Sequence, residues 1–292
     1  MDEDGIEKIG GVLKMWRQRF IDTDRGTFEL FEAGQGEPLA VTHLYSEFNE
    51  QGNTFANPFT KFYRVYLINL RACGNSVKAE HEHAYSMEAS VQDLEAIRNA
   101  LGLEKWGFAG HSTGGMLALK YAILHPEALT KIIAGGAAAS AAYGADPDSI
   151  YCPQNKHFAR SITIMDKLND LDTPIETRRQ LNYEWARMSY YDVEKLKESL
   201  KQPNSGKTVG DRLDYFRKIE CATYDLRDEL PDVNVPSYIY GGKHDAQCPY
   251  KFGVEIANLI PTATLTTFEK SNHNPFTEEA DKFLKFVEGT MG

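Results

Sequence analysis

Residues 105–126, KWGFAGHSTGGMLALKYAILHP, pass from an apolar run through a serine fenced by glycines directly into a second apolar run. Such a stretch has one good solution: a buried strand, a turn too tight for ordinary side chains, and a helix that packs back onto the strand. Gly110 and Gly114 stand two residues to either side of Ser112, where the absence of side chains lets strand and helix pass closely. Pro126 then stops the helix. A strand and a packed helix in succession imply a parallel sheet with helices on its faces.

The surrounding sequence repeats the pattern. EPLAVTHL (37–44) and YRVYLINL (63–70) are short apolar runs bounded by turn residues, as buried parallel strands are, and 16–33 reads as two strands about a turn at Asp24-Arg25-Gly26. Residues 86–103 carry Val91, Leu94, Ile97 and Leu101 at helical spacing, with Ser86 as N-cap and Gly102 as stop. LTKIIAGG is the next strand. The alternation then lapses, and 137–229 holds long polar helical segments with a loop at 201–210. It resumes with VPSYIYGG, KFGVEIANLIP, ATLTTFEKS and EEADKFLKFVEG. The expected organisation is an α/β core, 1–136 and 230–292, with a helical cap, 137–229, inserted between its halves.

Composition narrows the function. A chain of 292 residues with 42% apolar residues can bury a large core. Its net charge of −10 argues against nucleic acid, which demands clustered lysine and arginine. Cys73, Cys152, Cys221 and Cys248 are scattered and form no metal or redox motif. The N-terminal MDEDGIEKIGG lacks the apolar segment of a secretory signal, and no run approaches the ~20 apolar residues of a membrane span. A soluble, cytoplasmic protein is expected, acting on a small molecule, without membrane or nucleic-acid partners and with its oligomeric state left open.

Gly110-His111-Ser112-Thr113-Gly114 fits G-x-S-x-G, which exposes a serine hydroxyl above the C-terminal edge of a sheet. The Thr113 N–H, at the helix start, is a candidate oxyanion donor. A serine nucleophile needs a base, and the base needs an orienting acid. Asp245, in YIYGGKHDAQCP, and His273, in FEKSNHNPF, each follow a strand and so fall on that same edge. His244 is the rival base, but it directly precedes the acid.

On GHSTGG, GGKHD and SNHNPF the chain resembles the α/β-hydrolase superfamily, and within it the proline iminopeptidase-like and carboxylesterase-like members with a helical cap. The resemblance runs from about residue 20 to the end and is weakest in the helical block. It implies Ser112 as nucleophile, His273 as base, Asp245 as acid, and a cap that shapes the pocket. No cofactor or metal is called for. Relatives that open epoxides or displace halide resemble this fold but carry aspartate where Ser112 stands.

Two stretches depart from the family pattern. VTHLYSEF keeps His43 but puts Leu44 where glycine is usual, so a side chain is expected to narrow the approach, and the second oxyanion donor falls to the N–H of Leu44 or Tyr45. LRACGNS carries Asn69, Ala72 and Cys73 at unusual places, with Cys73 read as a small buried hydrophobe.

His43, His111, Glu184 and Trp185 are the substrate-contact candidates. Glu176 and Glu184 are candidate anchors for a substrate amine, although a charged helical face explains them equally. His81 and His83 read as a solvated loop, Asp93 and Glu95 as surface charges, and the cap's aromatic content indicates no cage. Esters and amides both remain open as substrates, the odd Leu44 favouring esters. A ligand-binding protein that keeps the fold without turnover is the alternative.

Overall fold

The computed structural model describes residues 8–9, 12–13, 16–170 and 172–291. Most of the acidic N-terminal stretch lies outside them. Eight strands make the central sheet: β1 (Arg17–Thr23), β2 (Gly26–Ala33), β3 (Glu37–Val41), β4 (Tyr63–Ile68), β5 (Trp106–His111), β6 (Leu129–Gly135), β7 (Ser237–Gly242) and β8 (Ala263–Phe268). Their order is β8-β7-β6-β5-β3-β4-β2-β1. Strands β3 to β8 pair in parallel, and β2 runs antiparallel to both its neighbours, β4 and β1.

Period-two burial explains the continuous apolar runs. In β4, Tyr66 and Ile68 join one core cluster with α1 (Met87–Ala100) and α2 (Thr113–Leu124), while Val65 and Leu67 join the opposite cluster. That second cluster takes Phe283 and Val287 from α7 (Ala280–Glu288). With both faces covered, residues 65–68 of this strand are all apolar, and only Arg64 near its start reaches solvent. Helix α1 begins as its sequence requires, the Ser86 hydroxyl accepting from the Ala89 N–H, and Gly102 turns the chain away at φ 71°.

Asp93 and Glu95 are not surface charges. Asp93 is buried and salt-bridged to Arg71 (2.8 Å) and Arg25 (2.7 Å). Glu95 pairs with Arg98 and accepts from the Tyr121 hydroxyl. The polar side of α1 meets arginines from the β1–β2 turn and the segment after β4, contacts that helical periodicity does not contain.

Between β6 and β7 the chain forms α3 (Phe158–Asn169), α4 (Ile175–Met188), α5 (Val193–Ser199) and α6 (Gly210–Tyr215). The expected loop at 201–210 is partly a strand, because Lys207–Thr208 pairs antiparallel with Ser46–Glu47. That pairing ties the helical block to the loop leaving β3.

Candidate active site

The turn between β5 and α2 has the strained form that its glycines suggested. Ser112 adopts φ 56°, ψ −126°, and its N–H donates to the Gly135 carbonyl at 2.8 Å. Only Ser112 and Ala72 have positive φ among the described non-glycine residues. A non-glycine residue pays a steric penalty there, which the packing around the turn must offset. A Cβ on Gly110 would lie 1.9 Å from the Gly114 carbonyl oxygen, and one on Gly114 would lie 2.5 Å from that of Thr42. Gly110→Ala is therefore expected to destabilise the fold by about 3 kcal/mol, at the upper end of overpacking costs, as read by urea unfolding; an unchanged midpoint would contradict the close approach.

Asp245 follows β7 and His273 follows β8, and both are buried. His273 Nδ1 lies 2.8 Å from Asp245 Oδ2. The other carboxylate oxygen accepts from the Gln247 and Cys248 N–H groups, each at 2.9 Å. The imidazole approaches the serine turn: a Cβ built on Gly136, next to the residue that binds the Ser112 N–H, would sit 2.9 Å from His273 Cε1. The structure thus brings Ser112, Asp245 and His273 to one edge of the sheet. His244 is exposed and stacks on Tyr191 at 4.4 Å, away from the acid.

The helical block braces this edge. The Ser189 carbonyl accepts from the His273 N–H (3.1 Å) and the Asn274 amide (2.9 Å). Glu278 accepts from the backbone N–H groups of Asn272, Tyr191 and Asp192. Burial raises Glu278 to about 6 against the pull of those hydrogen bonds.

Most of the substrate-contact candidates have partners within the protein. His43 Nε2 meets Thr113 Oγ1 at 3.1 Å, and its Nδ1 meets Ser46 Oγ at 2.9 Å and the Tyr45 N–H at 3.4 Å. An N–H aimed at Nδ1 makes that nitrogen the acceptor and puts the proton on Nε2. His43 is thus a tie between the β3 loop and α2. His111 is enclosed by Phe55, Tyr240, Phe276 and His273, with Nδ1 2.9 Å from the Tyr240 hydroxyl. Glu184 is held by both nitrogens of the Arg160 fork at 2.6 Å, and Glu176 pairs with Arg179 at 2.7 Å. Neither glutamate offers a free carboxylate.

Trp185 lies 6.1 Å from Tyr151, which lies 6.1 Å from Tyr143, forming an aromatic row. The Tyr151 hydroxyl donates to Gln247, beside the acid. Composition alone indicated no such cluster, because three aromatics from separate segments leave no local excess. Leu44 is also corrected: its side chain is fully buried in the core, so it does not narrow the approach. Cys73 is buried, its thiol pushed up to about 11 by desolvation.

Two buried histidines set a pH response. Desolvation, then the nearby His273 and Arg212, lowers His43 to about 3, and desolvation lowers His111 well below its usual range. The unfolded chain takes up these protons near pH 6.5 and the folded chain does not. Stability is therefore full above about pH 6.5 and falls as pH drops toward 3, each histidine contributing a slope of up to about 1.4 kcal/mol per pH unit. Urea unfolding between pH 7 and 4.5 should show a shallower decline in His43→Gln than in wild type. Identical slopes would show that His43 is not kept neutral by the fold.

A mainly parallel eight-stranded sheet with a strained serine at the strand–helix turn defines the α/β-hydrolase class. Residues 42–280 match the model of the alpha/beta hydrolase fold family. The chain belongs to that family. It is 26% identical over 256 residues to a pimeloyl-[acyl-carrier protein] methyl ester esterase of Vibrio atlanticus, covering 86% of this chain and 93% of the relative. It is 24% identical over 297 residues to a proline iminopeptidase of Heyndrickxia coagulans, covering 94% and 98%. Among solved structures, an alpha/beta fold family hydrolase from Bacillus anthracis aligns with TM-score 0.94 and 61% identity over 95% of this chain and 100% of the other. These relatives support a hydrolase.

Proposed function

We propose that this protein is a serine ester hydrolase working through Ser112, His273 and Asp245, with residues 137–229 as the cap over its pocket. The observation that carries the reading is the strained Ser112 turn on the same sheet edge as a buried His273–Asp245 pair 2.8 Å apart. Nothing in folding requires those three side chains together, which weighs against a binding protein without turnover.

In the proposed cycle, Ser112 Oγ attacks the ester carbonyl as its proton passes to His273 Nε2. Asp245 accepts from Nδ1–H, which keeps Nε2 free as base and stabilises the imidazolium. The N–H groups of Thr113 and Tyr45 receive the oxyanion. Collapse expels the alcohol, which takes the proton from His273 and leaves an acyl group on Ser112. Water, deprotonated by His273, attacks the acyl carbonyl, and the acid departs as Ser112 regains its proton.

The ion pairs at Glu184 and Glu176 favour ester over iminopeptidase chemistry, because both candidate amine anchors are engaged. Tyr143, Tyr151 and Trp185 would form the aromatic wall of the pocket. The cytoplasmic location read from the sequence stays part of this proposal, and four free cysteines accord with it.

Comparing p-nitrophenyl butyrate with proline p-nitroanilide tests the choice. The ester should be cleaved at least about 100-fold faster in kcat/KM, a gap of about 2.7 kcal/mol in transition-state binding. Preferential cleavage of the anilide would move the assignment to an iminopeptidase.

A further inference from the structure

Arg212 belongs to α6 in the helical block, yet it is only 1% exposed. Its fork spans three parts of the core. Nε donates to the Leu44 carbonyl (2.5 Å), Nη1 to that of Arg71 (3.0 Å), and Nη2 to Ser90 Oγ (2.7 Å) and the Tyr85 carbonyl (3.4 Å). The nearest acids have other bonds: Asp93 holds Arg71 and Arg25, and Glu220 accepts from the Met87 N–H. The hydrogen bonds of this guanidinium go to carbonyls and a hydroxyl, while Asp93 and Glu220 act on its charge through space, so those bonds serve to hold the core segments in place.

We infer that Arg212 is a positioning residue for the oxyanion site, fixing the Leu44–Tyr45 peptide so that the Tyr45 N–H faces the reacting carbonyl. The inference rests on the ester-hydrolase reading above. In a trans peptide the C=O and the following N–H point in opposite directions, and no cis peptide occurs among the described residues. Binding the Leu44 oxygen on the Arg212 side therefore turns the Tyr45 N–H away from it, toward His43. The 3.4 Å separation from His43 Nδ1 is long, so this N–H is available to a better acceptor. His43 in turn reaches Thr113, whose N–H is the other proposed donor.

The neighbouring bonds act in the same sense. The Val209 N–H holds the Tyr45 carbonyl at 2.8 Å, and Lys207–Thr208 pairs with Ser46–Glu47. Residues 207–212 thus grip the loop along its carbonyl side. This accounts for a leucine where the family usually has glycine. Leu44 does not need positive φ, its side chain fills the core, and its carbonyl is what the block holds.

The test is Arg212→Lys, which keeps the charge and loses the fork, assayed on p-nitrophenyl butyrate beside wild type. Loss of an oriented oxyanion donor should lower kcat about 100-fold and weaken a trifluoromethyl ketone inhibitor by a similar factor, with KM within about twofold. A folded Arg212→Lys with undiminished kcat, or with its loss confined to KM, overturns the inference. If that variant does not fold, Ser90→Ala decides, since it removes one acceptor from the fork. Its kcat should fall about threefold at unchanged KM, because one of the fork's hydrogen bonds is lost and the others remain, and an unchanged kcat overturns the inference. A wild-type protein that cleaves no ester overturns the hydrolase reading and this one with it, whereas an active wild type beside an equally active variant overturns this one alone.

Discussion

Ser112→Ala is expected to lower kcat on p-nitrophenyl butyrate by about 10⁶-fold, the loss typical of removing the nucleophile from a triad that acts as a unit. The oxyanion donors and the binding surface would remain, so a residual rate of about 10³–10⁴ over water should persist. Both residues carry a Cβ, and both must sit at φ 56° in this turn. The backbone strain is therefore shared, and the urea midpoint should move little. Serine at this position accepts from the Met116 N–H through its carbonyl, which the substitution keeps. A loss of tenfold or less would mean that another group carries the reaction.

Asp245→Asn should cost about 10⁴ in kcat while leaving the fold intact. The native carboxylate accepts three hydrogen bonds, from Gln247 N–H, Cys248 N–H and His273 Nδ1. An asparagine can keep its oxygen on the two backbone donors, but its NH₂ then faces His273. That forces Nδ1 to become an acceptor and moves the proton to Nε2, the atom that must receive the proton of Ser112. The variant is thus locked in the wrong tautomer rather than unfolded. Steady-state kinetics with a parallel urea titration separate the two causes. Equal loss of stability and activity would contradict the tautomer argument.

The parts of this molecule that follow from local periodicity were open to sequence reading. The inner strands, such as β3 and β4, are mostly apolar because both sheet faces are covered, and α1 shows its period, its serine cap and its glycine stop. Ser112, Asp245 and His273 were accessible for a related reason. Each follows a strand, and parallel strands deliver their C-terminal ends to one edge. Cys73 is buried, as a small hydrophobe in this segment is expected to be.

What escaped depends on tertiary partners. Arg212 sits in a polar helical segment that looks solvated, and only the carbonyls of Leu44, Arg71 and Tyr85 make it a buried residue. Asp93 failed for the same reason, its partners lying 68 and 22 residues away in the chain. Partners of His43 and His111 are equally remote in sequence: His43 Nε2 meets Thr113, and His111 Nδ1 meets the Tyr240 hydroxyl. The row of Tyr143, Tyr151 and Trp185 assembles from separate segments of the block, where no spacing rule applies.

The proposed reaction depends above all on Ser112 being an activated nucleophile. Its most direct measurement is treatment of the wild-type protein with a fluorophosphonate at neutral pH, followed by intact-mass and peptide-mass analysis. A single phosphonyl adduct on the peptide carrying Ser112 is expected, with enzyme activity lost in proportion to labelling. An unmodified protein, or an adduct on another residue with Ser112 untouched, would contradict it.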